Sequence, residues 1–402
     1  MTYDVESVRK HFPALVNGAA HFDGPGGSQV PESVGRAVAD TLTSAIANQG
    51  SETAASRRAE EVVTAARKAM ADLLGGDPRG IVFGRSMTQL TYDFARALAK
   101  TWGSADEVVV TRLDHDANIR PWVQAAQSVG AIIRWAAFDP KTGEQTLDDI
   151  ADVLSSRTRL VAVTGASNLL GTRPPVVQIS QLVHDAGALL YVDGVHLTPH
   201  APVDVTALGA DLFACSPYKF LGPHCGVVAG RPALLDGLQP DKLLPSSNGT
   251  PEKFELGTLP YELLAGTTAT VDFLAGLSVD AAGTRRQRGL AAMTMLEEYE
   301  DGVRHEIEQR LQEMGDVVLY GHAAHRTPTL LFSIGSNNSD AVSARLAELE
   351  VNAPAGSFYA LEASRWLGLG DAGAVRVGVA PYTDDSDVAR LLDAVRRVVR
   401  ES

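Results

Sequence analysis

Short β-branched and apolar runs alternate, over the first half of the chain, with longer stretches in which apolar positions recur at helical spacing. The runs predict strands at Ile81–Phe83, Glu107–Thr111, Ile132–Trp135, Leu160–Thr164, Leu189–Val192, Leu212–Cys215 and Gly226–Ala229. The intervening stretches predict helices such as Met87–Lys100, Ile119–Ser128 and Val177–Ala186. Strand–helix alternation at this spacing implies an α/β fold, a mostly parallel seven-stranded sheet between helices. Such sheets bind ligands beyond the carboxyl ends of their strands, so the residues just after each strand are the ones to read for chemistry.

Beyond about Leu263 the pattern changes. Ala281–Met314 is charged and helical in spacing, as a connecting helix would be. It is followed by strands at Val317–Tyr320, Thr329–Ile334 and Ala374–Val379 and helices at Ser339–Leu349 and Ser386–Val399. This predicts a smaller α+β C-terminal unit. The expected organisation is an N-terminal segment, 1–30, packing near the small domain and the site entrance, a large domain, 31–270, and a small domain, 271–402. Leu244–Thr250, rich in Pro, Ser, Asn and Gly, reads as an exposed loop.

Composition narrows the function classes. A length of 402 residues exceeds the roughly 250–300 at which single cores split. A net charge of −14 argues against non-specific binding of nucleic acid or anionic membrane, which need a basic face. The two cysteines, Cys215 and Cys225, support neither a disulfide framework nor an all-cysteine zinc site. With no basic start, no apolar leader and no membrane-length apolar run, the expected location is cytoplasmic.

The candidate chemistry lies after the predicted strands. Asp193 closes Leu189–Val192, and a carboxylate there is costly unless paired with a cation. Lys219, in Ser216-Pro217-Tyr218-Lys219, follows the next strand. A structural salt bridge would explain an Asp and a Lys alone; the surrounding residues favour a site. His196 and His200 are spaced i, i+4, but Pro199 lies between them and no carboxylate motif adjoins, so a metal is not expected. Asp23–Ser28 reads as a turn near the site entrance, His322 and His325 as solvated loop residues, and Trp122 as packing.

Tyr191-Val192-Asp193-Gly194-Val195-His196 followed by Ser216-Pro217-Tyr218-Lys219-Phe220-Leu221-Gly222-Pro223 resembles the class V aminotransferase family of fold-type I pyridoxal 5′-phosphate (PLP) enzymes, in particular its cysteine desulfurase-like branch. The resemblance implies PLP held by Lys219 as a Schiff base, with Asp193 pairing the pyridine nitrogen. In Asp114-His115-Asp116-Ala117-Asn118 it assigns His115 to stack on the ring, with a capacity to move protons. It places Asn168, with His196, near the phenolic oxygen, and Tyr218 among the cofactor-binding residues. Phe83–Gln89 resembles the phosphate loop, with Ser86, Met87 and Gln89 replacing the usual types and Thr88 keeping a hydroxyl; Ser216 adds another. Phe254-Glu255-Leu256-Gly257-Thr258 resembles the stretch whose threonine reaches the partner's phosphate, which implies a homodimer. Arg376 aligns with the arginine that grips the substrate carboxylate, for which a planar guanidinium fork is suited.

Cysteine desulfurases need a mobile cysteine in a small-domain loop. The matching loop, Ala353–Ala360, puts Tyr359 there as a pocket-shaping, substrate-facing residue, so persulfide chemistry is not expected. Cys215 reads as a buried small hydrophobe; Cys225, six residues after Lys219, is a candidate for the site mouth. Amino transfer on a small α-amino acid ranks first, C–S β-elimination second and epimerisation third. A non-enzymatic PLP-binding accessory subunit ranks last.

Overall fold

The computed structural model describes residues 3–278 and 282–401. Seven strands form the large sheet: β1 (Ile81–Gly84), β2 (Glu107–Thr111), β3 (Ile132–Ala136), β4 (Thr158–Thr164), β5 (Leu189–Asp193), β6 (Leu212–Cys215) and β7 (Gly226–Gly230). Their spatial order is β1-β7-β6-β5-β4-β2-β3, and all are parallel except β7, which runs against both neighbours. Successive side chains point to opposite faces and build two cores. Val161, Val163, Leu190 and Val192 pack under helices α1 (Ala54–Leu74), α4 (Val176–Asp185) and α5 (Tyr261–Gly276), whereas Leu160, Ala162 and Tyr191 meet α2 (Met87–Ala99) and α3 (Arg120–Val129). Burial on both faces explains why these strands read as continuous apolar runs rather than as alternating ones.

The long helix α6 (Arg285–Gln312) starts at a capping box between Thr284 and Gln287. Ala281, where the sequence pattern starts this helix, lies outside the described residues. An antiparallel sheet follows, of β8 (Val317–Tyr320), β9 (Thr329–Ile334), β10 (Ala355–Gly356) and β11 (Ala374–Gly378) in the order β10-β11-β9-β8. It packs with α7 (Ser339–Glu348) and α8 (Asp385–Glu401) around a third core containing Phe332, Leu346 and Leu391.

The N-terminal segment ties into this second unit. Ala20–His21 pairs in parallel with Val351–Asn352, and the Tyr3 hydroxyl donates to the Pro381 carbonyl at 2.7 Å. The chain then turns at Asp23–Gly27, where the Gly26 N–H donates to the Asp23 carbonyl at 2.7 Å. No helix among the described residues is long and apolar enough to cross a membrane.

Candidate active site

Four parallel strands deliver polar residues to one end of the large sheet. After β2 the chain passes through Asp114, which is fully buried and accepts from the Thr111 hydroxyl and, at 2.7 Å, from the Asn118 amide. Burial pushes the Asp114 carboxyl well above the usual range, against those two hydrogen bonds. The turn so fixed presents His115, whose Nδ1 accepts from the Ala117 N–H at 3.0 Å, which leaves Nε2 as the protonated nitrogen. Burial, reinforced by the charges of Lys219 and Arg376, lowers the His115 pKa to about 4, so the ring is neutral near pH 7.

After β4 comes Asn168, whose amide donates to the Phe358 carbonyl at 2.9 Å while its Oδ1 is buried without a partner among the described residues. Asp193 is the last residue of β5. Its Oδ1 accepts from the Val195 N–H at 2.9 Å, and burial raises its pKa to about 6 even though the Lys219 charge opposes the shift. Three residues on, His196 Nε2 meets the Thr329 hydroxyl of β9 at 2.9 Å, and burial drives its pKa far down. His200 instead pairs through Nδ1 with the buried Glu300 of α6 at 2.8 Å, so the two histidines serve different partners.

Ser216 and the 3-10 turn Pro217–Lys219 follow β6. The Lys219 amine donates to the carbonyls of Pro25 (2.5 Å) and Gly26 (2.9 Å) in the N-terminal turn. It also lies 5.0 Å from the centroid of the Tyr218 ring. Burial and the nearby Arg376 cation lower its pKa to about 7, outweighing the pull of Asp193.

Where β1 runs into α2, Ser86 is the N-cap: its hydroxyl accepts from the Gln89 N–H at 3.1 Å. The first-turn N–H groups of a helix have no intrahelical acceptor and favour an anion. Gly226 lets β7 pass this start, since a Cβ there would lie 2.2 Å from the Ser86 carbonyl carbon and 2.3 Å from the Met87 nitrogen. The Met87 side chain is buried in the core, so only its backbone can face a ligand, whereas Thr88 is exposed.

Arg376 comes from β11 of the other sheet. It is buried, donates from one terminal nitrogen to the Asn168 carbonyl at 2.8 Å, and has no partner for Nε among the described residues. Burial lowers its pKa to about 9. A surface strand-edge arginine would show neither feature.

A cavity of about 670 Å³ brings together Lys219, Asp193, His115, Asn168, His196, Ser216, Tyr218, Ser86, Met87, Thr88, Tyr359 and Arg376. Thr258 is not among its lining residues. It lies on an exposed stretch with Leu256 and Gly257, next to Glu255, which is anchored by the Arg67 guanidinium and the Phe83 N–H. Cys225 is not at the site mouth. It is 2% exposed, faces the Thr267 hydroxyl of α5 at 3.5 Å, and burial raises its pKa to about 11. The reason is that β7 turns back into the sheet directly after it. Cys215 is fully buried inside β6. Lining residues that sequence reasoning left out include Phe358, beside Tyr359 in the loop already singled out, and Tyr92, Arg120 and Gln124 in the N-terminal halves of α2 and α3. The last three carried no signal beyond helical spacing.

Parallel strand ends, a helix N-terminus, a half-buried amine and a buried carboxylate thus line one cavity of an α/β fold. The family profile of aminotransferase class-V matches residues 20–391, and the chain belongs to that family. Its curated relatives include an uncharacterised protein of Mycobacterium tuberculosis, 34% identical over 98% of this chain and 99% of that protein. An aminotransferase-like protein of Gibberella zeae is 31% identical over 99% of each chain. A cysteine desulfurase of Klebsiella pneumoniae is 29% identical over 99% of each. Among solved structures, a cysteine desulfurase of Escherichia coli superposes with a TM-score of 0.86 at 26% identity over 100% of both chains. One from Thermococcus onnurineus gives 0.89 at 25% identity, covering 99% of this chain and 98% of that one. The fold is therefore that of fold-type I PLP enzymes, and PLP is the cofactor of the family.

Proposed function

We propose that this chain is a PLP-dependent enzyme acting on a small α-amino acid, with amino transfer as its reaction. The observation that carries the reading is a half-buried amine, Lys219, with its pKa lowered to about 7, sharing one cavity with the Asp193 carboxylate and the underbonded Arg376 guanidinium.

The residues present fit the cofactor. Asp193 offers an acceptor, the helix start at Ser86–Thr88 offers donors for a phosphate, and Asn168 and His196 line the same cavity. When bound, PLP supplies the electron sink that stabilises negative charge developing at a substrate carbon. Lys219 would hold the cofactor through its amine, and Nζ is the group placed to take and return the substrate's α-proton. Asp193 would pair with the cofactor's ring nitrogen, its buried carboxyl supplying the acceptor. The neutral His115 ring covers one face of the site without adding charge. Arg376 holds the substrate carboxylate through its in-plane N–H donors. Thr258 serves the partner subunit's site, so the working unit is a homodimer, and the cytoplasm is its place of action.

C–S β-elimination is the second reading, supported by the cysteine desulfurases among the relatives. Persulfide transfer is disfavoured, because Tyr359 lines the cavity where those enzymes need a thiol and both cysteines are buried elsewhere. Incubation of the purified, PLP-loaded protein with single amino acids separates the readings by product. A keto acid formed with an amino acceptor supports transfer, whereas sulfide or a racemised amino acid rejects it in favour of elimination or epimerisation. Lys219→Ala, expected to lose at least about a thousandfold in rate as a deleted catalytic base, is the control.

A further inference from the structure

Arg376 has an unusual environment for a buried cation. No carboxylate among the described residues lies within ion-pair distance, Asp23 acts on its charge only from further away, and Nε has no partner. What it does have is an aromatic face: the guanidinium carbon sits 3.6 Å from the centroid of the Phe358 ring. A cation over a ring is attracted by the ring's negative face, most strongly where water is excluded.

Phe358 is held there against its backbone preference. It has φ +52° and its neighbour Tyr359 φ +60°, two consecutive bulky L-residues in the left-handed region. Such outliers persist only where surrounding contacts over-determine them, and they cluster at ligand clamps. Two contacts do so here: the Asn168 amide donates to the Phe358 carbonyl at 2.9 Å, and the Asp116 N–H donates to the Tyr359 carbonyl at 2.7 Å. The contacts close on themselves. Arg376 donates to the Asn168 backbone, the Asn168 side chain holds the Phe358 backbone, and the Phe358 ring lies on Arg376.

We propose that Phe358 is a positioning residue for Arg376, stacking on one face of the guanidinium so that its N–H edge is presented to the substrate carboxylate. The proposal rests on the reading of Arg376 as the carboxylate site. Stacking occupies a face of the guanidinium and not its in-plane donors, and it prevents the fork from rotating or being hydrated from that face. The alternative is that Phe358 only packs, since it also touches the small core of Leu113, Phe138, Leu170 and Leu331. Leucine or methionine at 358 would keep that packing and remove the aromatic face.

The test uses the PLP-loaded protein and propionate as a carboxylate probe, with propionamide as the uncharged control, titrated by saturation-transfer NMR. Wild type is expected to bind propionate and not propionamide. Phe358→Leu and Phe358→Met are each expected to weaken propionate about tenfold, the scale of a desolvated cation–π contact, with the cofactor absorbance unchanged, and Phe358→Tyr is expected to restore it. Propionate binding retained in Arg376→Gln would reject the carboxylate site itself. Binding lost in Arg376→Gln but kept at the wild-type level in a folded Phe358→Leu or Phe358→Met variant would overturn the role of Phe358 alone.

Discussion

The amine of Lys219 is set by three opposing influences: desolvation and the Arg376 charge push its proton off, and Asp193 pulls it back. Only the neutral amine attacks an aldehyde. Because the pKa is lowered to about 7, cofactor-free protein should capture PLP at a rate that rises with pH through about 7 and levels off above it. Stopped-flow absorbance across that range would show it. Arg376→Gln removes a repelling cation, so the amine holds its proton longer and the midpoint should move to higher pH. Asp193→Asn should move it lower; a midpoint near the ordinary lysine value in the wild type would contradict the burial argument. The chemical identities of these groups were legible from their places after strands. Their protonation was not, because it depends on burial and on charges brought from residues 193 and 376.

The strands were legible as elements because residues buried on both faces leave an unbroken apolar run, and β1 to β7 begin and end within two residues of the predicted limits. Helix α1 was not singled out: its alanines and arginines spread the apolar signal, and its place is fixed by packing against α5. Its residue Arg67 shows what only packing reveals. Arg67 is 8% exposed and donates two 2.8 Å bonds to Glu255, which also accepts from the Phe83 N–H of β1. Glu255→Ala leaves the buried Arg67 charge with only the exposed Glu252 at 3.5 Å, so it should cost about 3 kcal/mol, read from the urea midpoint. It should also loosen the stretch that carries Thr258.

For the whole molecule, the exposed Leu256-Gly257-Thr258 stretch and the absence of Thr258 from its own cavity lining fit a site completed by a second copy. Lys219→Ala and Thr258→Glu chains, each inactive alone, should regain about one quarter of wild-type activity when refolded together, because half the dimers are mixed and each mixed dimer has one intact site. No regain would place Thr258 outside the partner's site. The sequence by itself determined the period of the strands, the order of the polar residues at their ends and the family, since these are local patterns repeated along the chain. Tertiary structure decided the rest. Cys225 was removed from the site by the return of β7 into the sheet, and the Lys219 amine was placed on the carbonyls of an N-terminal turn 190 or more residues away. The Asn168–Phe358–Arg376 cluster was assembled across the two sheets. Those contacts depend on backbone angles and long-range packing, and no run of neighbouring residues encodes them.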